Sequence, residues 1–180
     1  MAAKVSKLLV IDASVARAAG GPDATYPTSV HCRDFLQAVL DICHRVVITP
    51  DIREEWNKHS STFARKWRKT MVAKKKIVYR ADISADEELC QKISGAIASE
   101  TDREAMLKDF RLIEAAIVTD NTVISLDDKV RIIFDKAAER VGELRNVVWV
   151  NPDETEAQPI DWLENGAQPE KHLRLGGRSA

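Results

Sequence analysis

KDFRLIEAAIVTDNTVISLDD, residues Lys108 to Asp128, places one acid inside a helix and a second at the end of a strand. With a helix through Asp109 to Val118, Asp109 falls within about 40° of Ile113 and about 20° of Ala116. Asp109 therefore sits on the core-facing side, while Lys108, Arg111 and Glu114 fall elsewhere on the wheel and can stay in water. A carboxylate in that position needs a partner, because a charge taken out of water is costly unless compensated. Thr119 to Thr122 reads as a polar turn, and Val123 to Leu126 as a buried strand that delivers Asp127 at its C-terminal end.

Working outward, Lys7 to Ile11 opens a buried strand ending on Asp12, with Ser14 two residues later. A helix from Thr28 or Ser29 to about His44 and a strand at Val46 to Ile48 follow. Thr49 and Pro50 then supply an N-cap and a first helical residue. Ile52, Trp56, Phe63 and Trp67 recur on one stripe of a single long helix. Glu54 points away from that stripe, and Glu55 lies at its edge, able to lean into a cleft. Lys76 to Tyr79 reads as a third strand and Ser84 to Ala98 as a helix capped by Ser84. After the central stretch, a helix starts at Asp128 or Lys129 and stops at Gly142, and Val147 to Val150 is the last strand.

Short apolar strands separated by helices are the pattern of an α/β sheet covered on both faces, with parallel order as the default. Ligands of such sheets bind beyond the C-terminal strand ends, which is where Asp12 and Asp127 fall and where the helix bearing Glu55 begins. Beyond Asn151-Pro152 the composition shifts to Pro, Glu, Gln and Gly. Residues 1–152 are thus expected to form the domain, and 153–180 a C-terminal tail, peripheral or partly disordered, with at most a short helix at Ile160 to Glu164.

Four carboxylates in one cleft repel each other and lose hydration, so they persist with raised pKa values or a bound cation. Oxygen ligands without a Cys or His cluster favour Mg²⁺ or Mn²⁺. Such ions activate water and polarise phosphoryl oxygens, the chemistry of phosphodiester hydrolysis. Charge distribution points the same way. Overall the net charge is −1, but Arg53 to Arg80 holds ten basic residues against two acids, a local net of +8. Arg65, Lys66, Arg68, Lys69, Lys74, Lys75 and Lys76 in that run are candidates for holding phosphates.

VIDAS at Val10 to Ser14, TPDIREEW at Thr49 to Trp56, DFRLIEAAI at Asp109 to Ile117 and VISLDD at Val123 to Asp128 resemble, in order, the four motifs of PIN-domain ribonucleases, including the VapC-type toxins of toxin-antitoxin systems. The resemblance implies a PIN-like three-layer α/β/α sandwich around a mostly parallel sheet of four or five strands. It also implies that Asp12, Glu55, Asp109 and Asp127 are catalytic, metal-binding acids, supported by Ser14, Ser125 and Asp128. The activity implied is Mg²⁺- or Mn²⁺-dependent endoribonuclease cleavage leaving 5′-phosphate and 3′-hydroxyl ends, with an antitoxin protein and a homodimer as expected partners. The chain departs from a compact toxin in its extended segment after Asp12, its long basic helix and its tail. Glu54 beside Glu55 and Asp128 beside Asp127 leave two ligand choices open.

Each acid has a plainer alternative. Asp12 can cap a helix, Glu55 can be a solvated charge neutralised by Lys58 and His59, Asp109 can pair with a basic residue at the core edge, and Asp127 can cap the last helix. A non-catalytic PIN-like module that binds RNA or protein is the competing function. Nucleotide-binding glycine motifs are absent, and Asp12 is followed by Ala13-Ser14 rather than the second Asp of a D-x-D phosphatase. His31, His44, His59 and His172 have no recognisable nucleophile partner. No apolar run approaches a membrane span, no leader is visible, and three cysteines lack metal or disulfide spacing, so a reducing cytoplasm is the expected setting.

Overall fold

The structure, a computed structural model, describes residues 5–178; the outermost residues of both expected segments lie outside that range. Five strands are ordered along the chain as β1 (Leu8–Ile11), β2 (Arg45–Ile48), β3 (Ile77–Tyr79), β4 (Thr122–Ile124) and β5 (Val148–Val150). They form one sheet in the order β3-β2-β1-β4-β5, and every pairing is parallel. Strands β1, β4 and β5 are apolar almost throughout because both sheet faces are covered. The covering helices are α1 (Ala13–Ala18), α2 (Pro27–Asp41), α3 (Pro50–His59), α4 (Thr62–Ala73), α5 (Glu87–Gly95), α6 (Glu100–Ile117), α7 (Asp128–Ala137) and α8 (Pro159–Glu164). α1 to α4 and α8 pack among themselves, as do α5 to α7, so the architecture is an α/β/α sandwich.

Chain order in the sheet reverses between β1 and β4. The chain leaves β1 toward β2 and β3, then returns to the other side of β1 for β4 and β5. A crevice opens at such a switch point, beyond the C-terminal strand ends. Val10 pairs with Val123 and Ile11 with Ile124, so Asp12 leaves β1 level with the exit of β4. Asp12 N–H also donates to the Ile124 carbonyl at 2.8 Å.

Three elements differ from the sequence expectation. The long helix after Thr49 breaks at Ser60-Ser61: Ser60 closes α3, and Ser61 accepts from the Ala64 N–H to start α4. Folding back lets Trp56 and Trp67 stack with centroids 5.8 Å apart. Their indole N–H groups donate to the carbonyls of Ile11 and Leu36, so both rings are core. The helix expected from Ser84 begins at Glu87, because Asp86 and not Ser84 caps it. The helix expected to stop at Gly142 ends at Ala137.

The segment after Pro152 is built into the domain. It contains α8 at nearly the residues expected, buries Trp162, Leu163, Leu173 and Leu175, and bridges β5 through Val148 and Arg174. The composition gives no sign of this, because a few apolar side chains dispersed among polar residues carry no periodic signal. Among the described residues no helix is long and apolar enough to cross a membrane.

Candidate active site

Asp12 stands at the N-cap position of α1 but makes no capping bond. Its Oδ2 instead accepts from Ser14 Oγ at 2.6 Å and Ser125 Oγ at 3.0 Å. Each serine also ties the exit of β4: Ser14 Oγ accepts from Leu126 N–H at 3.2 Å, and Ser125 Oγ from Asp127 N–H at 3.1 Å. Two short hydroxyl side chains thus lock the β1 and β4 loops together and orient Asp12 across the switch point.

Asp127 caps α7, its Oδ1 accepting from the Val130 N–H at 2.9 Å. The plainer reading of Asp127 is therefore realised, without removing it from the cleft. Asp128 is turned away: its Oδ2 accepts from Asn151 Nδ2 at 3.1 Å, and Arg131 faces Oδ1 at 3.5 Å. Between these neighbours Asp127 is the one whose charge acts on Asp109.

Asp109 comes to the crevice on α6, which packs against β1 and β4. Burial pushes its pKa up to about 6 from an ordinary 3.8, and the charges of Asp12 and Asp127 push the same way. Arg111 opposes them, and Glu55 adds a smaller upward push. Three of the four predicted acids therefore form one electrostatic unit, with Glu55 at its margin.

Glu55 is half-buried, with His59 Nε2 at 3.5 Å, Lys58 Nζ at 3.9 Å and Arg111 Nη2 at 4.0 Å. Glu54 points outward and pairs with Lys58 at 2.8 Å, so Glu55 is the better placed of the two. Arg111 is the site residue that the helical wheel missed. Its guanidinium reaches around α6 toward Glu55 on α3, and a wheel does not reveal which helix lies alongside.

The basic candidates divide. Arg65, Lys66 and Lys69 are exposed on α4, and Arg68 is half-buried with Nη2 donating to Asn57 Oδ1 at 2.7 Å. Lys74, Lys75 and Lys76 directly precede β3, at the sheet edge opposite the acids. Lys76 also donates its ammonium to the carbonyls of Val39, Leu40 and Ile42 at the end of α2. Burial, its largest influence, and the charge of Lys74 lower its pKa. It acts as a helix cap and leaves the phosphate-binding set.

Among the described residues no three His, Cys, Asp or Glu side chains stand close enough to grip an ion as they are. The donor set near Asp109 is nevertheless all oxygen, and two of its carboxylates raise the proton affinity of the third. That chemistry fits a hard divalent cation held by one or two carboxylates while keeping most of its waters, as Mg²⁺ does. No family model matches this chain, and no curated protein matches it.

Proposed function

We propose that the chain is a metal-dependent endoribonuclease of PIN type. The observation that carries the reading is the Asp109 carboxyl, pushed to about 6 by burial and by Asp12 and Asp127 at a sheet switch point. Crowded carboxylates at a ligand-binding edge are unfavourable for folding alone and favourable for holding a cation. A bound Mg²⁺ or Mn²⁺ would supply an activated water and charge neutralisation at the scissile phosphate. Asp12, held by Ser14 and Ser125, and Asp109 are the residues to hold it, with Asp127 beside them. Arg111 can meet a phosphate oxygen at the cleft margin, and Glu55 keeps that guanidinium and His59 in position.

Two observations favour a non-catalytic module: Glu55 already has three basic groups beside it, and no set of three acids among the described residues is gathered at ion-gripping distance. Cleavage decides between them. Single-stranded and structured RNAs should be cut by the wild type with Mg²⁺ or Mn²⁺, not with chelator, and not by Asp12→Asn or Asp109→Asn. RNA binding without metal-dependent cutting, or cutting that survives both substitutions, would overturn the nuclease assignment.

A further inference from the structure

The opposite rim of the sheet, where the strands begin, holds a cavity of about 290 Å³ away from the carboxylate cleft. Four stretches of chain meet there: Lys7 just before β1, the 119–122 turn into β4, Asn146 before β5, and the tail at Ala167, Pro169 and Arg174. Hydrogen bonds fix the walls. Asp120 Oδ2 accepts from the Leu8 N–H at 2.6 Å, the Asn121 carbonyl accepts from the Val148 N–H at 2.7 Å, and Arg174 Nε donates to the Pro169 carbonyl at 2.9 Å.

Two features of the lining are unfavourable for folding alone. Lys7 Nζ and the terminal nitrogens of Arg174 have neither an acceptor nor an ion-pair partner among the described residues. The one carboxylate of the lining, Asp120, is turned to β1 through the Leu8 N–H. Asn121 and Ala167, moreover, both hold left-handed backbone, with φ of 55° and 51°. Glycine would relax either position, and strain of this kind collects where a site imposes its geometry.

Two cations from opposite ends of the chain, lining one space without compensation, repel each other until an anion enters between them. A phosphate monoester suits them better than a single carboxylate. It carries nearly two charges at neutral pH, and its three oxygens can meet a lysine ammonium and an arginine fork from different sides. Asn146 and Thr119, with Asp120 beside them, are amide, hydroxyl and carboxylate groups that match the hydroxyls of a polyol. A cavity at the lower end of the range for ligand sites calls for a small molecule.

We propose that this cavity binds a small hydroxylated phosphate monoester through Lys7 and Arg174. The site is separate from the cleft and independent of the nuclease reading, since Lys7 and Asp12 stand at opposite ends of β1, about 16 Å apart. Bridging stretches that only the folded chain brings together, the bound ester stabilises the fold.

The test titrates the full chain, isotope-labelled for amide NMR and kept in chelator, with glycerol phosphate, glycerol, succinate and inorganic phosphate. Glycerol phosphate should shift, saturably, the amides of Lys7, residues 119–122, Asn146, Ala167 and Arg174, and leave those of Asp12, Asp109 and Asp127 in place. Lys7→Met and Arg174→Gln should each weaken binding by about ten-fold, and Lys7→Arg, which keeps the charge, should retain most of it. Glycerol and succinate should bind more weakly than the ester by about ten-fold or more. Thermal melts establish that the variants fold, and the amide map needs no variant. No saturable shift at millimolar ester, shifts centred on the carboxylate cleft, or affinity unmoved in both folded variants would overturn the site and leave Lys7 and Arg174 as solvated charges. Equal affinity for inorganic phosphate would overturn the ester and leave an ion site. Ester binding in a chain that cuts no RNA keeps this site and removes the nuclease.

Discussion

At Asp109 burial and two neighbouring carboxylates act in one direction, each making the proton harder to remove from the folded chain than from the unfolded one. The sign for stability follows. The folded pKa is about 6 against 3.8, so the folded state binds more protons between those values, and metal-free stability falls as pH rises through that window. In chelator, Asp109→Asn should match the wild type below about pH 4 and exceed it at pH 7 by about 1 to 2 kcal/mol after allowance for solvent screening. That is a Tm gain of about 2 to 8 °C for a chain of this size. Mg²⁺ should reverse the order by raising the wild-type Tm and leaving the variant where it was. A Tm difference in chelator that does not open between pH 4 and 7 would show that Asp109 is neither crowded nor desolvated.

At the scale of elements, Lys76 has the clearest structural role. Helix α2 ends without a basic residue in its last turn, and its terminal carbonyls are met by an ammonium arriving from another part of the chain. Lys76→Met keeps the aliphatic stem and removes the donors. Urea unfolding should show a loss of about 1.5 to 3 kcal/mol, the range for hydrogen bonds to a charged group, with RNA affinity unchanged. Lost RNA affinity at undiminished stability would return Lys76 to the basic interface.

This contact also marks a limit of legibility. Thr49 as cap, Pro50 as first helical residue and the apolar blocks of β1, β4 and β5 are local signals, and the structure has them where local rules put them. Asp109 was legible as an acid on a core-facing stripe. Lys76 read as one more member of a basic run, because nothing local announces that its partners lie over 30 residues earlier. Arg111 was missed for the same kind of reason. The Ser60-Ser61 break was hidden by a hydrophobic stripe whose spacing happens to continue across it.

At the scale of the whole molecule, the described tail belongs to the core. Trp162 is 5% exposed and donates its indole N–H to the Gln168 carbonyl at 2.8 Å, while His44 Nε2 meets the Leu163 carbonyl under α8. Trp162→Ala should cost about 3 to 5 kcal/mol, as for other buried tryptophans. Denaturant unfolding measures it, and a loss below about 1 kcal/mol would demote the segment to an ornament on a self-sufficient domain. The seal is completed late: Leu175 N–H donates to the Val147 carbonyl, and Arg174 bridges Val148 at the open side of β5. β1, the sheet's central strand, waits for β4 more than 110 residues downstream. A ribosome delivers the chain in order, so the earliest strand to emerge spends most of synthesis with half its hydrogen-bonding edge bare. The crevice at the β1–β4 switch point therefore stays unformed until β4 has left the tunnel, and the Leu175 and Arg174 contacts at β5 come after it.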